Sequence, residues 1–154
     1  MDIQIEKGNI KYLSDCEEAL INSELGNKYF NNAGSAKEAI IEGIEDGNLF
    51  IAFAGDECVG FIWYIPQGAF HSFPYLHVIS VKQAYRSKGI GKKMHDFLEK
   101  LAFENADKIF LVVSDFNTDA KSFYEKIGYR QVGEIPNLYR KGIIEYLMMK
   151  EKEI

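Results

Sequence analysis

The sequence predicts an α/β domain organised around one strand–helix–strand unit. Residues 75–81 and 108–113 are short β-branched and aromatic runs, which are typical of buried strands. Between them, apolar residues recur at helical spacing from Ile90 to Ala102. Two strands joined by a crossover helix run parallel with a right-handed connection. Because no repeat or linker divides the 154 residues, we expect a single domain over residues 1–154.

The part of the chain before this unit predicts two helices and three strands. Alternation of Ile3 and Ile5 with polar residues indicates a strand at residues 2–7. Ser14-Asp15 is predicted to cap a helix, and the apolar face expected after it comprises Cys16, Ala19, Leu20 and Leu25. Ser35 is the expected cap of a second helix, with Glu38 at the capping-box position.

A hairpin is predicted next, followed at the far end of the chain by one more helix and two strands. Gly55-Asp56 is a turn signal between strands at residues 49–54 and 58–65, and Pro66-Gln-Gly68 should close the second strand. After the central unit we expect a helix at residues 118–127 and strands at residues 129–134 and 143–150.

The turn before the central helix is the most informative stretch. Gly89 and Gly91 lack a Cβ where the helix begins, so a ligand can approach the backbone closely. The free amides and the dipole of a helix N-terminus favour an anion. The same turn carries four cations in a chain of net charge −5, namely Arg86, Lys88, Lys92 and Lys93. This pattern favours a phosphorylated ligand.

The spacing of the glycines excludes two common phosphate-binding motifs. A Walker loop requires Ser or Thr after Gly-Lys, but Lys93 follows Gly91-Lys92. A dinucleotide fingerprint requires a third glycine where this chain has Met94. What remains, Arg86-Ser-Lys-Gly-Ile-Gly91, resembles the Arg/Gln-x-x-Gly-x-Gly/Ala motif of the GNAT superfamily of N-acetyltransferases, which binds the pyrophosphate of acetyl-CoA.

A second segment carries the same resemblance. Asn117-Thr-Asp-Ala-Lys-Ser-Phe-Tyr124-Glu-Lys-Ile-Gly128-Tyr129 is similar to the family's Asn-x-x-Ala-x-x-x-Tyr-x-x-x-Gly-Phe, with Tyr in place of the final Phe. The resemblance implies a mixed, mostly antiparallel central sheet of about seven strands with flanking helices, in which the fourth and fifth strands are parallel and splay apart. It also implies that acetyl-CoA is the co-substrate.

The resemblance further implies which residues bind the co-substrate. Its pantetheine arm should pair with the backbone of the fourth strand, and its pyrophosphate should lie on the glycine-rich turn. Asn117 would bond the pantetheine arm or orient a water, although Asn117-Thr118 is also a reasonable helix cap. The expected cofactor-binding residues are Ile79, Ser80, Val81, Arg86, Ser87, Lys88, Gly89, Ile90, Gly91, Lys92, Asn117 and Tyr124.

The reaction implied is direct transfer of an acetyl group to a primary amine. By resemblance, Tyr124 donates a proton to the departing thiolate, although Phe123 and Tyr124 could also be two core aromatics. An alkylammonium is only roughly 0.1% neutral at pH 7, so a base or a water path is needed. His77 has a suitable intrinsic pKa, but a histidine in a strand is often structural. Asp115, Glu145 and backbone carbonyls with water remain alternatives.

The acceptor is left open by the sequence. The segment Glu134–Gly142 looks like the tyrosine-bearing loop of protein N-terminal acetyltransferases, so Tyr139 is expected to contact the acceptor, and His71 to meet it from the loop before the fourth strand. The Asp-Ala-x-x-Met that often follows that loop reads Glu145-Tyr-Leu-Met148, which departs from the peptide pattern. A small amine, a peptide amino terminus and a non-catalytic acyl-CoA-binding domain are the alternatives.

Composition and charge argue against several other classes of protein function. A net charge of −5 argues against non-specific nucleic-acid binding. The sequence shows no signal peptide and no apolar run near the length of a membrane span, so we expect a cytoplasmic protein without a membrane partner. Cys16 and Cys58 lack metal-ligand spacing, so we expect reduced thiols and no metal. A homodimer is an open alternative to a monomer.

Overall fold

The computed structural model describes residues 2–153 and contains seven strands and five α-helices within that range. A 3₁₀ turn, Ile10–Tyr12, precedes α1, and another, Gln83–Tyr85, precedes α4. The elements in chain order are β1 Ile3–Lys7, α1 Leu13–Ile21, α2 Glu24–Tyr29, α3 Ser35–Asp46, β2 Leu49–Ala54, β3 Glu57–Ala69, β4 Phe73–Val81, α4 Ile90–Ala102, β5 Lys108–Ser114, α5 Thr118–Lys126, β6 Arg130–Pro136 and β7 Ile144–Glu151.

The strands form one sheet in the order β1-β2-β3-β4-β5-β7-β6. The pairs β1/β2, β2/β3, β5/β7 and β6/β7 are antiparallel, whereas β4 and β5 are parallel with Tyr75 opposite Phe110. The predicted α/β fold class, with a mixed and mostly antiparallel sheet and a parallel central pair, is therefore confirmed.

The chain forms two compact units. Unit one contains the chain up to Tyr64 together with Val78–Lys100, and unit two contains Ile65–His77 together with the chain from Leu101 onward. The prediction of a single domain is not tested by this division. Each unit has its own apolar cluster and carries part of the predicted site.

Unit one has a core in which helices cover the sheet strands. Cys16, Ala19 and Leu20 of α1 pack with residues of α3, β2 and β3, including Ile40 and Trp63. α3 approaches the strands closely because Gly43 has no side chain: a Cβ there would lie 2.9 Å from atoms of Leu49 and Trp63. The amphipathic patterns of the sequence therefore identify this core correctly.

Unit two has a smaller cluster on one face of the sheet. It contains Ala69, Phe110 and Met149, with Phe73, Tyr75 and Leu147 packed against them. The register pairs Phe110 with Met149 and Ser114 with Glu145. Because side chains alternate along a strand, Glu145 shares the face of Leu147 and Met149.

The predicted end of β3 at Pro66–Gly68 is wrong, because the strand continues to Ala69. β2 reaches only as far as Trp63 along β3, so Pro66 lies beyond that ladder and its missing N–H breaks no bond to β2. The chain reverses instead at Phe70 and His71, which both adopt left-handed backbone with φ of 56° and 58°. β4 accordingly begins at Phe73, two residues before the predicted start.

The predicted helix starts in the first half are also corrected. α1 begins at Leu13 with Tyr12 at its N-cap, so Ser14 and Asp15 lie in its first turn instead of capping it. A further helix, α2, was not predicted; Ser23 caps it by accepting the Gly26 N–H at 2.9 Å. Ser35 is the first residue of α3, and its hydroxyl donates to the carbonyl of Asn32 instead of capping.

Candidate active site

The turn between β4 and α4 has the backbone that the glycine motif predicts. Ser87 and Gly89 adopt left-handed conformations with φ of 63° and 81°, and α4 begins at the next residue, Ile90. The Lys93 N–H donates to the Gly89 carbonyl at 3.1 Å, which closes the first helical turn. A Cβ built on Gly89 would meet no atom within 4 Å, so the space beside it is open. Open space at a helix N-terminus suits a phosphate oxygen.

Arg86 ties this turn to the rest of unit one. Its Nε donates to the Val81 carbonyl at 3.0 Å, and its Nη2 donates to the Asn22 carbonyl at 2.7 Å. Asn22 is the C-cap of α1, so one guanidinium joins the end of β4 to the end of α1. A guanidinium carries five N–H donors. Arg86 therefore has a positioning role that the sequence did not predict, and it keeps further donors for an anion.

The lysines of the turn differ in their surroundings. Lys88 is exposed, with its Nζ 5.7 Å from the centre of the Tyr85 ring. Lys92 is also exposed and forms a helical ion pair with Asp96 at 3.0 Å. Lys92 can reorient towards a phosphate, since exposed helical pairs of this kind are weak.

A buried cation lies just before the turn. The Lys82 side chain is 7% exposed, and its Nζ lies 2.6 Å from Asp15, 3.7 Å from Glu57 and 3.9 Å from Glu18. Burial lowers the pKa of Lys82, but the hydrogen bond to Asp15 and the three carboxylate charges outweigh it and raise the pKa above its ordinary value. Tyr85, which follows Lys82 in the 3₁₀ turn, is hydrogen-bonded to Glu57. The cluster fixes the C-terminal end of β4.

The predicted pantetheine-binding segment alternates along β4. Ser80 is buried and its hydroxyl donates to the Ala19 carbonyl at 2.7 Å, whereas Ile79 and Val81 are partly exposed on the other face. The Ser80 side chain therefore serves packing against α1. Any role of Ser80 towards the co-substrate belongs to its backbone, as the resemblance implies.

Tyr124, the predicted proton donor, lies on α5 in unit two. It is 8% exposed, with its ring 5.4 Å from Phe123 and 5.6 Å from Tyr129 between ring centres. Burial raises the pKa of the Tyr124 phenol, so the hydroxyl keeps its proton near neutrality. Asn117 occupies the N-cap position of α5 but makes no side-chain capping bond. The catalytic role of Tyr124 and the cofactor-binding role of Asn117 stay predictions.

The predicted acceptor residues lie on loops of unit two, and His77, the predicted base, lies on β4. His71 is exposed at the β3–β4 turn. Tyr139 is exposed in the β6–β7 loop, whose shape is set by Asn137: this residue has φ of 58°, and its side-chain oxygen accepts the Gly142 N–H at 2.7 Å. The His77 ring is 6.0 Å from that of Tyr75 on the same face of β4.

The match to the family model of the acetyltransferase (GNAT) family covers residues 17–129, which is most of the chain. The chain belongs to the GNAT acetyltransferase family. The predicted resemblance is thereby confirmed, and the glycine turn and Tyr124 both fall inside the matched region.

This GNAT protein is similar in sequence or fold to several named acetyltransferases. It is 30% identical over 111 residues to an N-alpha-acetyltransferase of Sulfurisphaera tokodaii, covering 65% of this chain and 66% of that one. Two solved structures share the fold. One is an aminoglycoside 6'-N-acetyltransferase complexed with coenzyme A (TM-score 0.76, 24% identity, 96% of each chain). The other is Arabidopsis thaliana Naa50 with a bisubstrate analogue (TM-score 0.75, 22% identity, 98% and 99% of the chains). The chain spans between 28% and 68% of the lengths of the curated relatives it matches.

Tyr75 of this GNAT protein was not among the residues predicted to act, and Glu145 was named only as an alternative base. Tyr75 is hydrogen-bonded to Tyr139, and burial, together with the neighbouring Tyr139, Glu145 and Tyr124, raises the pKa of its phenol. Glu145 is 2% exposed, and the Ser114 hydroxyl, which has one proton to donate, lies 2.7 and 2.6 Å from its two carboxylate oxygens. The sequence does contain a signal, since a carboxylate between Ile144 and Tyr146-Leu-Met-Met stands out in an apolar strand.

The histidine of α4 is buried. His95 is 1% exposed. It lies beside Met94 on the buried stripe of the helix, because that stripe is wide enough to include position 95. His95, Asp96 and Glu99 have donor atoms within 4.8 Å of one another. These are ordinary neighbours on a helix, with Asp96 paired to Lys92 and Glu99 to His95.

No helix within residues 2–153 has the length and apolar character needed to cross a membrane. The predictions of cytoplasmic location, of no metal and of a monomer or dimer stay predictions.

Proposed function

We propose that this protein is an acetyl-CoA-dependent N-acetyltransferase that acetylates a primary amine by direct attack on the thioester. The observation that carries the proposal is the turn after β4, where left-handed Ser87 and Gly89 lead into α4 beside open space and several cations. We expect this backbone to present its amides to a pyrophosphate, as the family resemblance implies. The coenzyme A complex of the aminoglycoside acetyltransferase supports the choice of co-substrate.

The reaction needs few groups from the protein. The neutral amine forms a C–N bond to the thioester carbon, and the carbonyl electron pair moves to oxygen. Collapse of this adduct breaks the C–S bond, and the Tyr124 phenol donates a hydrogen bond to the departing thiolate, which takes its proton from solvent. The excess proton on nitrogen leaves to a base or to water. Burial raises the pKa of the phenol, so the hydroxyl keeps its proton and acts as a hydrogen-bond donor to the thiolate.

The acceptor is either a peptide α-amino group or a small amine. The peptide alternative is supported by the N-alpha-acetyltransferase of Sulfurisphaera tokodaii and by the Tyr139 loop. The small-amine alternative is supported by the aminoglycoside acetyltransferase fold and by the departure at Glu145-Tyr-Leu-Met148. His77 remains the proposed base, with Tyr139 and His71 as proposed acceptor contacts.

The test is thiol release from acetyl-CoA in the presence of polyamines, amino acids, aminoglycosides and short peptides. We expect amine-dependent thiol release with one class and an acetylated product of matching mass. Binding of acetyl-CoA without thiol release across the whole panel would favour the alternative of a non-catalytic binding domain. Absence of both binding and release would reject the proposal.

A further inference from the structure

Three polar side chains join the end of β4 and the turn after it to α1. The three bonds run from Ser80 Oγ to the Ala19 carbonyl at 2.7 Å, from Lys82 Nζ to the Asp15 carboxylate at 2.6 Å, and from Arg86 Nη2 to the Asn22 carbonyl at 2.7 Å. Their partners on α1 follow one another at intervals of four and three residues, so they lie along one side of the helix. This side of α1 is therefore fixed to the segment that leads into the glycine turn.

The bond from Arg86 falls where α1 ends and α2 begins. Asn22 is the C-cap of α1, and the next residue, Ser23, is the N-cap of α2. The Ser23 hydroxyl donates to the Leu20 carbonyl at 2.6 Å and accepts the Gly26 N–H at 2.9 Å, so one side chain joins the two helices. Residues 22–26 form what we call the α1–α2 junction.

The peptide group between Asn22 and Ser23 is bonded at both of its polar ends. Its carbonyl accepts the bond from Arg86, and its N–H donates to the Leu20 carbonyl at 3.1 Å. A peptide group is planar, so bonds at its two ends fix its orientation. The junction therefore presents the Asn22 carbonyl to Arg86 in a defined direction.

Arg86 is oriented by two carbonyls from different segments of unit one. Its Nε donates to the Val81 carbonyl at 3.0 Å and its Nη2 to the Asn22 carbonyl. The guanidinium is planar and carries five N–H donors in a fixed fork, so two bonds fix its plane and leave donors for a phosphate. The side chain is partly exposed. An arginine held in this way loses less rotamer freedom on binding an anion than one that moves freely in solvent.

We propose that the α1–α2 junction positions Arg86 for the pyrophosphate of acetyl-CoA, so that the junction contributes to co-substrate affinity without contacting the co-substrate. This inference rests on the proposed function and adds Asn22 and Ser23 to it as positioning residues, which act through the Arg86 guanidinium. Thermodynamic linkage requires the converse as well. Acetyl-CoA, by fixing Arg86, stabilises the hydrogen bonds of the junction.

The first test is a double-mutant cycle in which acetyl-CoA binding is measured. Ser23→Ala removes the hydroxyl that joins α1 to α2 and leaves Arg86 in place. We expect it to raise the acetyl-CoA dissociation constant at least about fivefold in the wild-type background, but less than about twofold in Arg86→Ala, where no guanidinium is left to position. Isothermal titration calorimetry on the full chain measures the four constants. An unchanged constant in Ser23→Ala, or the same loss in both backgrounds, would overturn the inference.

Asn9→Ala is the matched control. The Asn9 side chain also caps a helical turn, and it accepts the Lys11 N–H at 2.9 Å, the same distance as the bond from Gly26 to Ser23. It precedes α1, whereas the junction follows it. Asn9→Ala should therefore bind acetyl-CoA as the wild type does. A loss of affinity equal to that of Ser23→Ala would assign the effect to general destabilisation and overturn the positioning role.

The second test measures hydrogen exchange and needs no substitution in the junction. Saturating acetyl-CoA should slow exchange of the Ser23 and Gly26 amides at least about fivefold in the wild type. The same amides should gain no protection in Arg86→Ala when acetyl-CoA saturates that variant. The Lys11 amide, which is bonded to Asn9, should exchange at the same rate with and without acetyl-CoA. Equal protection of the junction in the wild type and in Arg86→Ala would overturn the inference.

These measurements separate the inference from the proposed function. A wild type that binds acetyl-CoA with the expected coupling, but releases no thiol with any amine, would support the inference and reject the proposed function. Thiol release together with an additive cycle would support the proposed function and overturn the inference. Failure of the wild type to bind acetyl-CoA would reject both.

Discussion

Individual side chains on α5 and in the glycine turn carry most of the proposed chemistry. Tyr124 is the simplest to isolate, because Phe fills the same space and removes only the hydroxyl. We expect Tyr124→Phe to lower kcat at least about tenfold, since the departing thiolate loses its hydrogen-bond donor, while acetyl-CoA affinity barely changes. Tyr129→Phe, which alters the neighbouring buried ring, is the control. Steady-state kinetics with unaltered turnover in Tyr124→Phe would remove it from the mechanism.

Arg86 combines two roles at one guanidinium. Arg86→Ala should weaken acetyl-CoA binding by about 1.5 to 3 kcal/mol, or roughly ten- to a hundredfold, because one charge-assisted contact is lost. It should also lower the unfolding temperature, because the bonds to Val81 and Asn22 go with it. Lys88→Ala removes a nearby exposed charge and should leave the unfolding temperature unchanged. Calorimetry measures acetyl-CoA binding, and thermal unfolding measures stability. An unchanged unfolding temperature in Arg86→Ala would contradict the role of Arg86 in joining the end of β4 to the end of α1.

Gly89 can be compared with a glycine of the same geometry elsewhere. Gly34 has φ of 80° against 81° for Gly89, and a Cβ at either would meet no atom within 4 Å. Valine at each should therefore cost about 1 to 3 kcal/mol of backbone strain. Only Gly89→Val should lose acetyl-CoA binding, because a branched side chain would stand where phosphate approaches the amides. Isothermal titration calorimetry measures acetyl-CoA binding to each variant. Equal acetyl-CoA dissociation constants for wild type and Gly89→Val would contradict the placement of the pyrophosphate at this turn.

At the scale of elements, the short helix α2 depends on one glycine. A Cβ on Gly26 would lie 1.8 Å from the Leu20 carbonyl oxygen, so α1 and α2 could not keep their packing. We expect Gly26→Ala to destabilise the protein by about 3 kcal/mol or more in urea unfolding. Gly133→Ala, where a Cβ would come no nearer than 4.0 Å to Leu147, should change stability little. Similar midpoints for the two variants would contradict this packing account.

The elements that sequence patterns predicted well are those whose periodicity is local. α4 has apolar residues at helical spacing and begins and ends as expected, and the Gly55-Asp56 hairpin is where the turn signal places it. α2 was missed because six residues are too few to show a period, and its cap is a single serine bond. The extension of β3 through Pro66 depends on where β2 stops, which no local pattern contains.

The residues of the candidate site also differ in whether a local sequence pattern predicts them. The glycine turn and Tyr124 can be read from spacing, because their function requires fixed residues at fixed intervals. Tyr75 was not selected and Glu145 was named only as an alternative base, because their placement on one face of the sheet arises from pairing of β5 with β4 and β7. The hydrogen bond from Arg86 to the Asn22 carbonyl likewise joins residues 64 positions apart, so no local pattern contains it.

For the whole molecule, the Lys82 cluster predicts how stability depends on pH. The folded pKa of Lys82 lies above the ordinary value of 10.5, so its contribution is complete below that pH and is lost as pH rises through the folded pKa. Wild type should therefore be more stable than Lys82→Met at pH 8, and the difference should shrink above about pH 10.5. Urea unfolding of both proteins at pH values from 8 to above about 10.5 measures this difference in stability. A difference that does not change with pH would contradict the stabilising role of the ion cluster. Lys108→Met, at an exposed pair, is the control.

The two cysteines of unit one have a practical consequence for spectroscopy. Cys16 is 0% exposed and Cys58 is 2% exposed, and both are free thiols. Maleimide dyes should leave them untouched in the folded protein. A cysteine placed at exposed Lys141 in the β6–β7 loop would then accept one fluorophore selectively, and its emission could report arrival of an amine beside Tyr139 without removing any native residue from the core.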